Sequence, residues 1–270
     1  MKSVLRWLGL LALAFFALQL FFVMRIALMA WVDPQSTAFQ RSEAWRIGNQ
    51  TGALRWRERW QPYTQISIHL KRAVIASEDD GFAYHDGVDW DALEKAWQKN
   101  AKTEAQSQAR LTAQQASEQA KPQGQQPIQS NTRAGTSSAK PPPPARAPKV
   151  IGGSTITQQL AKNLFLSGER NLLRKGQEFV LAFTLETLLD KERILEIYLN
   201  NVEWGEGVFG AEAAAQHYFR KPAAKLGPME AARLAVMLPR PKYFEKIPNS
   251  GYLAARAATI AARMGGAELP

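Results

Sequence analysis

The chain has no cysteine among its 270 residues. That excludes disulfides, thiolate metal sites and cysteine nucleophiles, and it says little about compartment, because many exported bacterial proteins lack disulfides too. Histidine is nearly as scarce: His69, His85 and His217 are scattered without zinc-ligand spacing, so no metal site is expected from them. The spacing of a nucleotide-binding P-loop is missing. So is any convincing run of alternating apolar and polar residues, apart from a short hairpin candidate at 203–208. What is present, 46% hydrophobic and 21% charged residues, rules out a wholly disordered, collagen-like or multi-span membrane chain.

The net charge is +10. Such an excess suits nucleic acid, anionic lipid or a pyrophosphate-bearing substrate. Half of it falls between residues 100 and 150, where seven basic residues face Glu104 and Glu118. The rest is dispersed, with no basic helix of the kind that reads a nucleic-acid groove.

Residues 7–24 read WLGLLALAFFALQLFFVM, without a charge. At 1.5 Å per residue the run spans about 27 Å, close to a hydrocarbon core of about 30 Å. Lys2 and Arg6 precede it, which under the positive-inside bias puts the N-terminus in the cytoplasm and the remainder outside. A cleaved signal peptide is the rival, but its apolar region is usually 7 to 15 residues and ends in small residues, whereas Phe21, Phe22 and Met24 occupy this exit.

The expected organisation is an anchor at 1–32, a connector at 33–62 mixing Trp45, Trp56 and Trp60 with arginines, and a mainly helical domain at 63–262. Helices are expected at 63–80, 157–166, 172–190, 192–200, 211–219, 229–238 and 252–264. The Ala/Gln/Pro-rich stretch at 100–149 interrupts the domain and reads as an excursion too polar to pack, its Ala- and Gln-rich first half having a helix-forming composition.

Three constellations carry candidate chemistry. Glu78 closes the first helix of the domain, where the macrodipole and the like charges of Asp79 and Asp80 push its pKa up, as a general acid or base requires; a solvated acidic helix end is the plainer reading. In GGSTITQQLAKN from Gly152, the glycines and Ser154 or Thr155 form a helix start that binds anions, with Gln158 and Lys162 on one face; a well-capped amphipathic helix explains the same pattern. Finally Arg170, Arg174 and Glu178 repeat at four, a ridge that suits a pyrophosphate or an exposed ion pair of about 0.3 to 0.5 kcal/mol.

Together with KERILEIYLNNVEWGEGVFG from Lys191 and AARLAVMLPRP from Ala231, these motifs stand in order with EDDGFAYHDGVD from Glu78 and RKGQE from Arg174. In this the chain resembles glycosyltransferase family 51, the peptidoglycan glycosyltransferases, and above all their membrane-anchored monofunctional members. The resemblance covers 33–96 and 150 to about 250. It implies a mainly α, lysozyme-like domain behind a single-span anchor, polymerising lipid II with inversion as the 4-hydroxyl of the acceptor GlcNAc attacks C1 of the donor MurNAc. By the same resemblance Glu78 is the general base, and Glu178 is the second carboxylate, assisting departure of undecaprenyl pyrophosphate. Lys162, Arg170 and Arg174 contact the diphosphate, with Thr155, Gln158 and Asn163 in the same substrate-binding motif. A resident cofactor is not implied; some relatives bridge the pyrophosphate with a divalent cation, magnesium or manganese, for which Glu178 is the nearest carboxylate.

The implied partners are lipid II, the growing glycan strand, the bacterial inner membrane and other cell-wall synthesis proteins, with the catalytic domain in the periplasm and no nucleic acid. Two departures stand out: Asp89 and Gly152 lie farther apart than the family's usual twenty or so residues, and Asp80-Gly81 stands where basic residues are common. No transpeptidase domain is expected after residue 250. A lytic transglycosylase and a non-catalytic scaffold are the alternatives, the first disfavoured by GGSTITQQ followed by RKxxE and the second by the joint presence of Glu78, Glu178 and the Lys/Arg set.

Overall fold

The computed structural model of the protein describes residues 2–119, 153–166 and 171–270. The helices among them are α1 (Lys2–Leu28), α2 (Ala38–Thr51), α3 (Ile68–Glu78), α4 (Trp90–Gln119), α5 (Ile156–Phe165), α6 (Leu172–Leu188), α7 (Lys191–Asn201), α8 (Ala211–Phe219), α9 (Pro228–Met237), α10 (Pro241–Phe244) and α11 (Gly251–Arg263). Strand β1 (Arg57–Glu58) pairs in parallel with β3 (Val208–Phe209), and β3 pairs antiparallel with β2 (Glu203–Gly205) across a bulge. The expected hairpin is thus present, with a third strand from the connector on its free edge. Gly207 makes that approach possible: its φ is +68°, and a Cβ there would lie 2.0 Å from the Arg55 carbonyl oxygen.

The chain divides into two units. The smaller, residues 90–153, contains the 30-residue α4, whose Trp90 and Trp97 are exposed. The Ala- and Gln-rich half of the expected excursion is therefore helical and continuous with residues before it, so the boundary expected near residue 100 falls inside a helix. Residues 120–149 of that excursion lie outside the described residues.

The larger unit, residues 1–89 and 154–270, holds the core. Helix α3 packs against α9, and α9 against α11; α5 packs against both α6 and α7. Apolar spacing explains these faces: Leu70, Ala73 and Val74 on α3, and Leu160, Ala161 and Leu164 on α5, recur at three and four residues and are all buried. Each fully buried Leu or Ile stabilises by about 1.5 to 3 kcal/mol. Cap residues set the boundaries. Ser67 caps α3 and Asp190 caps α7, while Pro228 opens α9 with Glu230 closing back on Gly227.

The helix expected at 63–80 is shorter: α3 starts at Ile68, behind a 3-10 turn at Tyr63–Gln65, because Ser67 caps it, and it ends at Glu78. Two further elements depart from expectation. The connector contains α2, whose start is a capping box between Thr37 and Gln40 and whose end is Gly52 in the left-handed region. The Thr-x-x-Gln pattern that announces it is readable in the sequence. Helix α1, 27 residues and about 40 Å long, is also more than a tether. Gln19, Phe22, Ile26 and Met29 recur at three and four residues and turn toward the domain, and Ile26 and Met29 are buried. Gln19 and Gln177 of α6 exchange two amide hydrogen bonds of 3.2 and 3.1 Å, and Phe22 meets Phe165 edge-on. Arg193 seals the junction by donating to the Met29 carbonyl at 2.8 Å and pairing with Asp33.

Candidate active site

Glu78 is the last residue of α3 and Asp79 the first beyond it. The fold gives these adjacent carboxylates different surroundings. Asp79 turns inward, its side chain only 2% exposed; Oδ1 lies 2.8 Å from His85 Nε2, and Oδ2 accepts the Ile156 backbone N–H at 2.9 Å. His85 Nδ1 accepts the Gly87 N–H at 3.2 Å, so the ring proton sits on Nε2 and is donated to Asp79. Ile156 opens α5, where backbone donors lack helical partners. Asp79 therefore ties the start of α5 to the end of α3.

Glu78 is half-buried. Gln159 Nε2 donates to its Oε2 at 3.1 Å, and Gln159 Oε1 accepts from Tyr198 Oη at 3.0 Å. Burial raises the Glu78 pKa above the ordinary carboxylate value and Asp79 adds to that, while hydrogen bonds from Gln159 and Ser77 and the charge of Lys162 oppose it. From sequence the expected causes are the helix end, Asp79 and Asp80. In the fold burial is the largest cause, and Asp80 is turned outward to Arg263 at 3.0 Å.

Glu178 lies on α6 and is 4% exposed. It keeps two cations: Arg174 Nη1 at 3.3 Å and Lys175 Nζ at 2.5 Å. The ridge of Arg174 and Glu178 is thus an ion pair that is largely buried. Lys175, which the spacing of four passes over, completes it.

A cavity of about 360 Å³ is lined by Gln159, Lys162 and Asn163 of α5, Arg174 of α6, Glu203 of β2 and Ser42 of α2. Each carboxylate is one contact removed from it, Glu78 through Gln159 and Glu178 through Arg174. Burial pushes the Glu203 carboxyl up to about 7, opposed by Lys242 at 3.1 Å.

Of the expected substrate-binding set, Lys162, Asn163 and Arg174 line this cavity, and Arg170 lies outside the described residues. Thr155 and Gln158 do not face the cavity. Both are 2% exposed and form the capping box of α5: the Thr155 hydroxyl accepts from Gln158 N, and the Gln158 side chain accepts from Thr155 N. Thr155 also donates to the Gly87 carbonyl at 2.6 Å. In the fold these two residues cap α5, because the Thr-x-x-Gln spacing turns Gln158 back on the helix start and leaves Gln159 to face Glu78.

Among the described residues no resident metal site is formed. Glu178 has an oxygen on each of two cations, and no group of three or more His, Asp or Glu suited to a metal occurs among the described residues.

The transglycosylase family model matches residues 47–141 and 142–265. The chain belongs to the transglycosylase family. It is 50% identical over 273 residues to a biosynthetic peptidoglycan transglycosylase of Burkholderia thailandensis, covering 100% of this chain and 90% of that protein. It is also 49% identical to one of Burkholderia pseudomallei over the same shares, and 47% identical to one of Burkholderia multivorans over 99% of this chain and 94% of that protein. As a transglycosylase it is a glycosyltransferase, and its mainly α, lysozyme-like fold is the class the sequence resemblance implies.

Proposed function

We propose that this transglycosylase polymerises lipid II into peptidoglycan glycan strands, with inversion at the transferred sugar. The observation that carries the reading is a cavity walled by Lys162 and Arg174 and flanked by two carboxylates in opposite states of neutralisation. Glu78 meets a neutral amide, and burial raises its pKa toward the working pH, as suits a general base. Glu178 is held by two cations and takes the electrostatic role.

The proton of the acceptor 4-hydroxyl passes to Glu78 as that oxygen bonds to C1 of the donor MurNAc. The bond from C1 to the pyrophosphate oxygen breaks, and its electron pair leaves with the phosphate. Lys162 and Arg174 receive the charge that develops on the leaving group, with Arg170 as a further cation.

The anchor reading follows from α1, long and apolar enough to cross a membrane, whose first half is exposed. Leu173 and Val180 of α6 are exposed on the same helical face as Gln177, which holds α1, so apolar surface continues from anchor to domain. Lys2 and Arg6 put the N-terminus in the cytoplasm and the cavity on the periplasmic side, where lipid II is presented from the same bilayer.

The test is polymerisation of labelled lipid II by detergent-solubilised protein beside Glu78→Gln and Glu178→Gln. Polymer from wild type that is lost in both variants, with melting behaviour retained, is the expected result. No polymer from folded wild-type protein across detergents would overturn the reading and leave a scaffold in its place.

A further inference from the structure

Tyr198 of α7 is fully buried, and its hydroxyl takes no part in the chemistry above. Its hydrogen bond among the described residues goes to Gln159 Oε1 at 3.0 Å. The other end of the same amide, Nε2, donates to Glu78 Oε2 at 3.1 Å. An amide has two ends of opposite character, and an isolated glutamine beside a carboxyl group can present either one. Presenting nitrogen favours the ionised carboxylate, because the amide then donates. Presenting oxygen favours the protonated acid, because the amide then accepts.

We propose that Tyr198 is a positioning residue that decides this choice: by donating to Gln159 Oε1 it fixes the amide with its nitrogen toward Glu78, the state in which Glu78 can accept a proton. This rests on the reading of Glu78 as the general base.

The phenol must be the donor. Burial holds its pKa well above the ordinary tyrosine value, and the charges of Glu78 and Asp79 act in the same direction, so it remains a neutral O–H. Rotating the amide would leave that buried proton without its acceptor and set the amide oxygen against the Glu78 carboxylate, two penalties that add. The charged and titratable groups that bear on Glu78 are Asp79 beside it, Lys162 on α5 and Tyr198 on α7; Arg263 at the end of α11 is engaged by Asp80. Of these, Tyr198 acts through a neutral hinge whose two orientations have opposite effects on the base.

The test compares kcat/KM for lipid II polymerisation against pH in the full-length solubilised enzyme for wild type, Tyr198→Phe, Gln159→Met and the double variant, with Glu78→Gln as reference. Losing a hydrogen bond to a charged group raises the acid limb by about one pH unit, a tenfold change in the protonation constant. Gln159→Met loses that bond outright; Tyr198→Phe removes the bias on the amide and is expected to move the limb in the same upward direction by up to that amount, its rate deficit largest below the limb and shrinking above it. The double variant is expected to match Gln159→Met alone, since without the amide the hydroxyl has nothing to orient. A Tyr198→Phe profile that superimposes on wild type, or a double variant shifted beyond Gln159→Met, overturns the proposal. Should Tyr198→Phe fail to fold, an unmoved limb in Gln159→Met overturns it equally. Wild-type turnover in Glu78→Gln would instead sink the general-base reading, a separate outcome from an inactive Glu78→Gln beside an unmoved Tyr198→Phe.

Discussion

Replacing Asp79 with Asn keeps shape and volume and removes one charge, and it strikes the point where α3, the 85–87 loop and α5 meet. In the wild-type protein the two carboxylate oxygens accept from two donors, His85 Nε2 and the Ile156 N–H, at 2.8 and 2.9 Å. Asparagine has one accepting end, so its NH2 group must oppose one of these donors. The variant loses a hydrogen bond to a charged acceptor and leaves a buried donor unsatisfied, together about 3 kcal/mol. For a folded unit of this size that corresponds to a melting temperature lower by roughly 6 to 12 °C. Thermal unfolding of the solubilised protein at pH 7, followed by intrinsic fluorescence, reads this directly. A second signature separates charge from packing. Asp79 contributes to the raised pKa of Glu78, so its neutralisation moves the acid limb of kcat/KM to lower pH even as the rate falls. A melting shift below about 2 °C would refute the role of Asp79 as the tie between the helices. A limb that moves to higher pH would refute the electrostatic argument.

Glu203 extends the reasoning to stability against pH. Its folded pKa of about 7 stands above the ordinary 4.5, so the folded state keeps a proton that the unfolded chain has released, and stability falls as pH rises through that window, by up to about 3 kcal/mol. Glu203→Gln should flatten the difference between urea unfolding at pH 5 and pH 8; an unchanged slope would count against it. Gly87→Ala should cost about 2 kcal/mol in chemical denaturation, because φ is +86° and the new Cβ would sit 2.9 Å from Glu186 Cγ, a side chain already held by Lys191 and Thr157. A loss within 0.5 kcal/mol, the range of an ordinary surface substitution, would show that the loop yields. At the anchor, Gln19→Leu leaves Gln177 without its amide partner. A double-mutant cycle of melting free energies with Gln177→Leu should return a coupling of about 0.6 to 1.7 kcal/mol, and a coupling near zero would mean that the two helices are not registered by this pair.

Local pattern carried much of this protein. Helices α5 to α9 and α11 are legible to within two residues, because their caps and apolar periodicity depend on neighbours three or four positions away. The same kind of signal announces α2 through Thr37 and Gln40 and assigns Gln158 to a cap, although both require the capping-box pattern to be weighed above composition. The apolar run of α1, the direction of the Glu78 shift and the cationic character of residues 162–174 are likewise written in the sequence. Tertiary structure decided which groups meet. Gln159 reaches Glu78 across 81 positions of chain, Tyr198 reaches Gln159 across 39, and Gln19 reaches Gln177 across 158. Burial made the largest contribution to the Glu78 shift, and burial is a property of everything packed around a group. Spacing along a helix fixes the face a residue shares, whereas the identity of its partner and the loss of water around it are settled only when distant segments close on one another.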